Sequence, residues 1–182
     1  MARQYDALTP TLRDFIDRQH VFFTGSAADT GRVNVSPRGT DWFRVVDDRS
    51  VIYLDRIGSG NETAAHLRVN GRLTVMFCAF EGAPMILRLY GRGRVLRRGG
   101  TDYAALLAQC FDGREPPGAR QLVILDVDLV QTSCGFGVPL LDYRAPRDAL
   151  DRWAEAKGDD GLLAYQREKN THSMDGIPTG LF

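Results

Sequence analysis

The chain has 182 residues, with 23 lysines and arginines balanced by 23 aspartates and glutamates, and 43% of its residues are hydrophobic. That length suits one domain of roughly 100–200 residues with a substantial core. A formal charge of zero gives no reason to expect nucleic acid or an anionic membrane as partner. No apolar run approaches the roughly 20 residues of a membrane span, and the first residues carry no signal-peptide-like hydrophobic segment, so a cytoplasmic protein is expected. Cys78, Cys110 and Cys134 form no C-x-x-C pair, which argues against a disulfide framework or a zinc site. Each reads as a small buried hydrophobe, and only Cys134, in a Ser-Cys-Gly-Phe-Gly turn, is placed for exposure.

In chain order, Thr9 and Pro10 read as a helix N-cap and first helical position, and Leu12, Phe15 and Ile16 as an apolar stripe ending near Gln19. His20 to Thr24 and Arg32 to Ser36 read as strands around a turn at Asp29-Thr-Gly31. Trp42 to Val46 and Val51 to Asp55 form a second pair. Leu73 to Phe80 is nearly continuously apolar, and a strand from Pro84 runs through Gly91-Arg-Gly-Arg94 to Leu96. Glycine at alternate places there implies a bend or a close approach of backbone or ligand. Thr101 to Phe111 has helical period, and Gln121 to Gln131 is again strand-like. Ala149 to Lys157, stopped by Gly158, and Leu162 to Glu168 read as amphipathic helices, and His172 to Phe182 as an extended tail. The order describes a mainly β fold with α additions, an antiparallel barrel rather than a doubly wound sheet.

The turn Gly58-Ser-Gly-Asn-Glu-Thr63 stands apart. It opens a short helix over Thr63 to Val69, stopped by Asn70-Gly71, and Ser59 with Glu62 has the spacing of a capping box. A turn of small polar residues at a helix N-terminus can aim unpaired amides at an anion, most often a phosphate. It is neither a dinucleotide fingerprint, since Thr63 stands where the third glycine belongs, nor a P-loop. By its residues alone it is as much a plain strand-to-helix loop as a phosphate cradle. His66, on that helix, reads as an exposed surface residue. His20, His66 and His172 are too few and too scattered for a metal site.

Five blocks carry a family resemblance: Asn34-Val-Ser-Pro-Arg-Gly39, Val51-Ile-Tyr-Leu-Asp55, Gly58-Ser-Gly-Asn-Glu-Thr-Ala-Ala65, Asn70-Gly-Arg-Leu-Thr-Val-Met-Phe77 and Arg88-Leu-Tyr-Gly-Arg-Gly-Arg94. The chain resembles the pyridoxamine 5'-phosphate oxidase-like, FMN-binding split-barrel proteins over roughly Asp14 to Val130. Ser133 to Pro139, Lys169-Asn170 and Asp175-Gly-Ile-Pro178 resemble a narrower bacterial subgroup. The resemblance implies a six-stranded antiparallel split β-barrel with flanking helices over 1–140, and a helical C-terminal extension over 141–182 packed on the same domain or its dimer partner. It also implies a homodimer with FMN at the subunit interface, a small-molecule substrate, and neither a nucleic-acid nor a membrane partner.

By the same resemblance, Asn34, Val35, Ser36, Pro37 and Arg38 would run beside the flavin ring, with Tyr53, Leu54 and Asp55 alongside. Ser59, Gly60, Asn61 and Thr63 would meet the phosphate, with Arg38 as counter-charge and Arg56 and Arg92 as further candidates. One departure stands out. Characterised oxidases carry a Ser-Arg-Lys run where this chain has Asn61, Glu62 and Thr63, so two cations are missing, and Glu62 would repel a phosphate unless it turned back to cap the helix. The pyridoxal phosphate-binding residues of those oxidases have no counterpart here. F420 is the alternative cofactor, and a non-catalytic flavin- or haem-binding protein the alternative class.

Overall fold

The computed structural model describes residues 2–182. Strand β1 (Arg3–Tyr5) leads into helix α1 (Pro10–Asp17), whose Thr9 cap accepts from the Leu12 amide and which buries Leu12, Phe15 and Ile16. Strands β2 (Val21–Ser26), β3 (Asn34–Gly39), β4 (Phe43–Val45) and β5 (Ser50–Arg56) precede helix α2 (Glu62–Val69). Strands β6 (Arg72–Cys78) and β7 (Ile86–Arg97), helix α3 (Thr101–Phe111), strand β8 (Ala119–Ser133) and helix α4 (Ala149–Lys169) complete the chain. One antiparallel sheet runs β3-β2-β6-β7-β8-β5-β4, with β1 added beside β8. The sheet curls into a half-barrel flanked by helices. It has eight strands rather than six because the three-residue strands β1 and β4 also join it.

Alternation on β5 divides the core. Val51 and Tyr53 face the barrel interior with Phe22, Phe43 and Phe77, while Ile52 and Leu54 face α3 with Tyr103, Leu107 and Phe111. Phe22 is the hub of the interior, its ring 4.9 Å from Phe43, 5.4 Å from Tyr53 and 5.9 Å from Phe77. Aromatic pairs of this kind add about 0.5–1.5 kcal/mol beyond their burial.

The paired glycines of β7 have distinct uses. A Cβ on Gly91 would stand 2.0 Å from the Asp126 carbonyl oxygen, where the β7–β8 register shifts, so this is a bulge with backbone in close approach. A Cβ on Gly93 would meet Leu67 Cδ2 at 2.8 Å, so glycine there lets α2 lie close against the sheet. That contact places the N-terminus of α2, and with it the Gly58–Thr63 turn.

In the C-terminal region, helix α4 is interrupted at Gly158, where the sequence reading stops its first helix: the φ of 62° and ψ of 174° there are not helical, and Ala154 and Leu162 on either side pack on Ile57. The last residues are not an extended tail. His172 bridges Pro178, Ser173 Oγ accepts from the Ile177 amide at 3.1 Å, and Thr179 Oγ1 donates to the Asn170 carbonyl at 2.6 Å. The Arg32 amide donates to Asp175 Oδ2 at 2.7 Å, fastening this segment to the β2–β3 loop. The fold holds the segment through its own hydroxyls and carboxylate, which a composition-based reading does not weigh.

Candidate functional site

A cavity of about 670 Å³ lies beside Phe15, Phe80 and Tyr143 on other elements of the fold, mostly apolar in lining but with Arg18, His20, Glu81 and Asp142 on its wall. The candidate site is a smaller cavity of about 510 Å³ between β3, the end of β5 and the Gly58–Thr63 turn. Here the hydrogen-bonding and charged groups converge. Asn34, Ser36, Pro37 and Arg38 from β3, Asp55 from β5, and Ser59, Gly60, Asn61 and Thr63 all line it, as do Arg56, Glu62 and Arg120.

Four of the expected residues stand elsewhere. Val35 points from the opposite face of β3 and is 64% exposed, as alternation on a strand requires. Leu54 turns away into the α3 cluster, and Tyr53 lies beneath the site in the barrel interior, with the Arg38 guanidinium 5.0 Å from its ring centre. Arg92 is at the far end of α2, about 12 Å along a helix of this length, where it donates to the Asn70 carbonyl at 3.3 Å. Arg56 lines the cavity but is engaged by the Pro117 carbonyl and by Asp151 at 2.5 Å.

The floor of the site is a buried polar network. Arg120 Nη2 donates to Asp55 Oδ2 at 2.6 Å and Gln121 Nε2 donates to the same oxygen at 2.7 Å. Asp55 Oδ1 lies 2.5 Å from Arg38 Nη1, an ion-pair contact lacking hydrogen-bond alignment, and Arg38 Nε and the Tyr53 hydroxyl also lack an aligned partner. Burial would raise the Asp55 pKa, but Arg120 and Arg38 together outweigh it and hold the carboxyl below its ordinary range. Burial pushes the Tyr53 phenol up to about 12. Burial would lower the Arg38 pKa, yet Asp55 leaves it raised, so both charges persist at neutral pH.

Asn61 is 3% exposed and its side chain faces this network: Oδ1 accepts from Gln121 Nε2 at 2.9 Å, and Nδ2 donates to the Asn170 carbonyl at 3.5 Å. It therefore offers the cavity its backbone. Among the described residues, the amides of Gly58, Ser59, Gly60 and Asn61 donate to no protein acceptor, and those of the first turn of α2 are free by helix geometry. The capping box does not form. The helix begins at Glu62 with no side-chain cap from Asn61, and Glu62 Oε1 accepts from the Met174 amide at 3.0 Å instead.

His66 is buried at 1% exposure, not on the surface, with Nδ1 3.1 Å from Ser26 Oγ. Helix α2 turns this face onto β2, and the C-terminal segment meets the helix at Glu62, where the Met174 amide donates to Oε1. Arg120, Gln121 and Asn170 escaped sequence reasoning as site residues. A charged residue opening the apolar run of β8 and the Lys169-Asn170 block were the available signals.

A curled antiparallel half-barrel with a polar cavity at the N-terminus of its short helix defines a split-barrel protein. The pyridoxamine 5'-phosphate oxidase family profile matches residues 8–134. A curated relative, the pyridoxamine 5'-phosphate oxidase family protein ustO of Aspergillus flavus, is 42% identical over 190 residues, covering 96% of this chain and 76% of the relative. This chain belongs to the pyridoxamine 5'-phosphate oxidase family. Among solved structures, Group A Streptococcus HupZ matches with a TM-score of 0.52 and 22% identity, over 67% of this chain and 91% of HupZ. A Lactobacillus delbrueckii protein named after pyridoxamine 5'-phosphate oxidase matches with a TM-score of 0.53 and 13% identity, over 69% and 94% of the two chains. Both likenesses concern the fold. No described helix is long and apolar enough to cross a membrane.

Proposed function

We propose that the protein binds FMN in the polar cavity and acts as a flavin-dependent oxidoreductase on a small molecule. The observation that carries this reading is the run of unpaired amides at Gly58–Asn61 beside Arg38, in a chain of this family. Successive free amides form an anion-binding concavity, and Arg38 supplies charge with an Nε donor still unpaired. Ser59 and Thr63 add hydroxyls at the phosphate end. Bound FMN supplies hydride and electron transfer, while the protein binds, orients and tunes it.

The missing Ser-Arg-Lys cations are offset in part. Arg38 and Arg120 share the single Asp55 carboxylate, which leaves one net positive charge at the cavity, and the Glu62 carboxylate is drawn toward the Met174 amide. Glu62 on the cavity wall disfavours the longer polyanionic tail of F420, which needs a continuing basic groove. A haem would need an axial ligand, and none of His20, His66 and His172 lines this cavity.

The same reading makes the functional unit a homodimer. Strand β3 is an edge of the sheet, and Val33 and Val35 beside the cavity are 72% and 64% exposed. An exposed apolar edge next to a half-open cavity suits a second copy of the chain. Titration of FMN with the protein, followed by flavin fluorescence, tests the proposal. Saturable binding at one FMN per chain is expected, and unchanged fluorescence at micromolar concentrations would refute it.

A further inference from the structure

The turn that offers its amides to the cavity does not hold its own shape. Its two glycine carbonyls are held by side chains: Asn170 Nδ2, outside the cavity lining, donates to the Gly58 carbonyl at 3.0 Å, and Arg120 Nη1 donates to the Gly60 carbonyl at 3.1 Å. Arg120 Nη1 also donates to Asn170 Oδ1 at 2.9 Å, so the two side chains brace each other. In a trans peptide the carbonyl and the following N–H point in opposite directions. Fixing the Gly58 carbonyl toward Asn170, which lies behind the cavity lining, therefore turns the Ser59 amide away from Asn170 and toward the cavity, while Arg120 fixes the next peptide but one through the Gly60 carbonyl.

Asn170 is fully buried, forms the C-cap of α4 and takes no part in lining the cavity. Its backbone carbonyl is held in turn by Thr179 Oγ1 at 2.6 Å, which links the turn to the folded C-terminal segment. A glycine-containing turn is conformationally permissive. Such a turn would lose much of its preorganisation if its carbonyls were released.

Resting on the FMN reading, we propose that Asn170 is a positioning residue for the flavin phosphate: it orients the amides of the Gly58–Thr63 turn without touching the ligand. The C-terminal segment is then part of the cofactor site. The side chain works through two separable contacts. Its amide group orients the turn, and its oxygen satisfies Arg120.

The test compares FMN with riboflavin, which has the same ring and ribityl chain but no phosphate, so the affinity ratio isolates the phosphate contribution. In the wild type FMN should bind more tightly than riboflavin. In Asn170→Ala that ratio should fall at least tenfold while riboflavin affinity stays within twofold. Asn170→Asp keeps an acceptor for Arg120 but cannot donate to Gly58, so it should fold normally and lose the same part of the ratio. An unchanged ratio in a folded Asn170→Asp protein would overturn the positioning role. A wild type that binds FMN no better than riboflavin would overturn the phosphate assignment itself, and a wild type that binds neither would overturn the flavin reading.

Discussion

Arg120 Nη2 sits 2.6 Å from Asp55 Oδ2, with the two side chains 3% and 2% exposed. The pair joins β8 to the end of β5 directly beneath the candidate cofactor turn. A buried ion pair adds little net stability over an apolar pair of equal volume, but removing one partner leaves a charge unpaired in a low-dielectric interior.

Asp55→Asn should therefore destabilise the fold by about 3–5 kcal/mol at neutral pH, since Arg120 and Arg38 both lose their carboxylate. The folded-state pKa of Asp55 lies below its ordinary 3.8, so its stabilising contribution is complete above the unfolded value and declines as pH falls through the folded one. Urea midpoints measured from pH 7 down to about 3 should show a steep acid limb in the wild type, beginning near pH 4, and a flatter one in the variant.

What the sequence made legible was local. The strands and α3 announce themselves through period, and the turn at Gly58 through its small residues. The network beneath it joins residues far apart in the chain, such as Arg120 to Asp55 and Asn170 to Gly58, and no local pattern encodes such pairings. His66 misled for a related reason. An isolated amphipathic helix has one wet face, but α2 lies between the Gly93 side of the sheet and the C-terminal segment, which buries Thr63 through Leu67 in succession. Ser59 and Glu62 had the spacing of a capping box, yet Glu62 serves the Met174 amide, a partner that becomes available only when the chain end folds back.

Arg38→Gln separates charge from fold. Asp55 keeps Arg120 and Gln121 as partners, so the melting temperature should change little. The loss of one charge-assisted contact, about 1.5–3 kcal/mol, should weaken FMN binding roughly 10- to 100-fold while sparing riboflavin. Isothermal titration with both ligands measures the two effects.

The glycines of β7 predict a ranking. In Gly93→Ala the new methyl meets leucine side chains that can yield, and the cost should be about 1–3 kcal/mol. In Gly91→Ala it meets the Asp126 backbone, which cannot yield without breaking the β7–β8 ladder, and the loss of stability should be larger. Thermal denaturation of the two variants gives the order directly.

Val35→Glu places a charge on the exposed apolar edge beside the cavity. If that edge meets a second copy of the chain, sedimentation should show a dimer for the wild type and a monomer for the variant. FMN affinity should fall with dimerisation, although Val35 does not line the cavity within its own chain.

The visible absorption spectrum tests the central claim most directly, recorded on protein as purified and again after incubation with FMN and desalting. A retained pair of flavin bands at one FMN per chain is predicted. A protein that stays colourless after desalting, or shows a deazaflavin or haem spectrum instead, would contradict FMN as its cofactor.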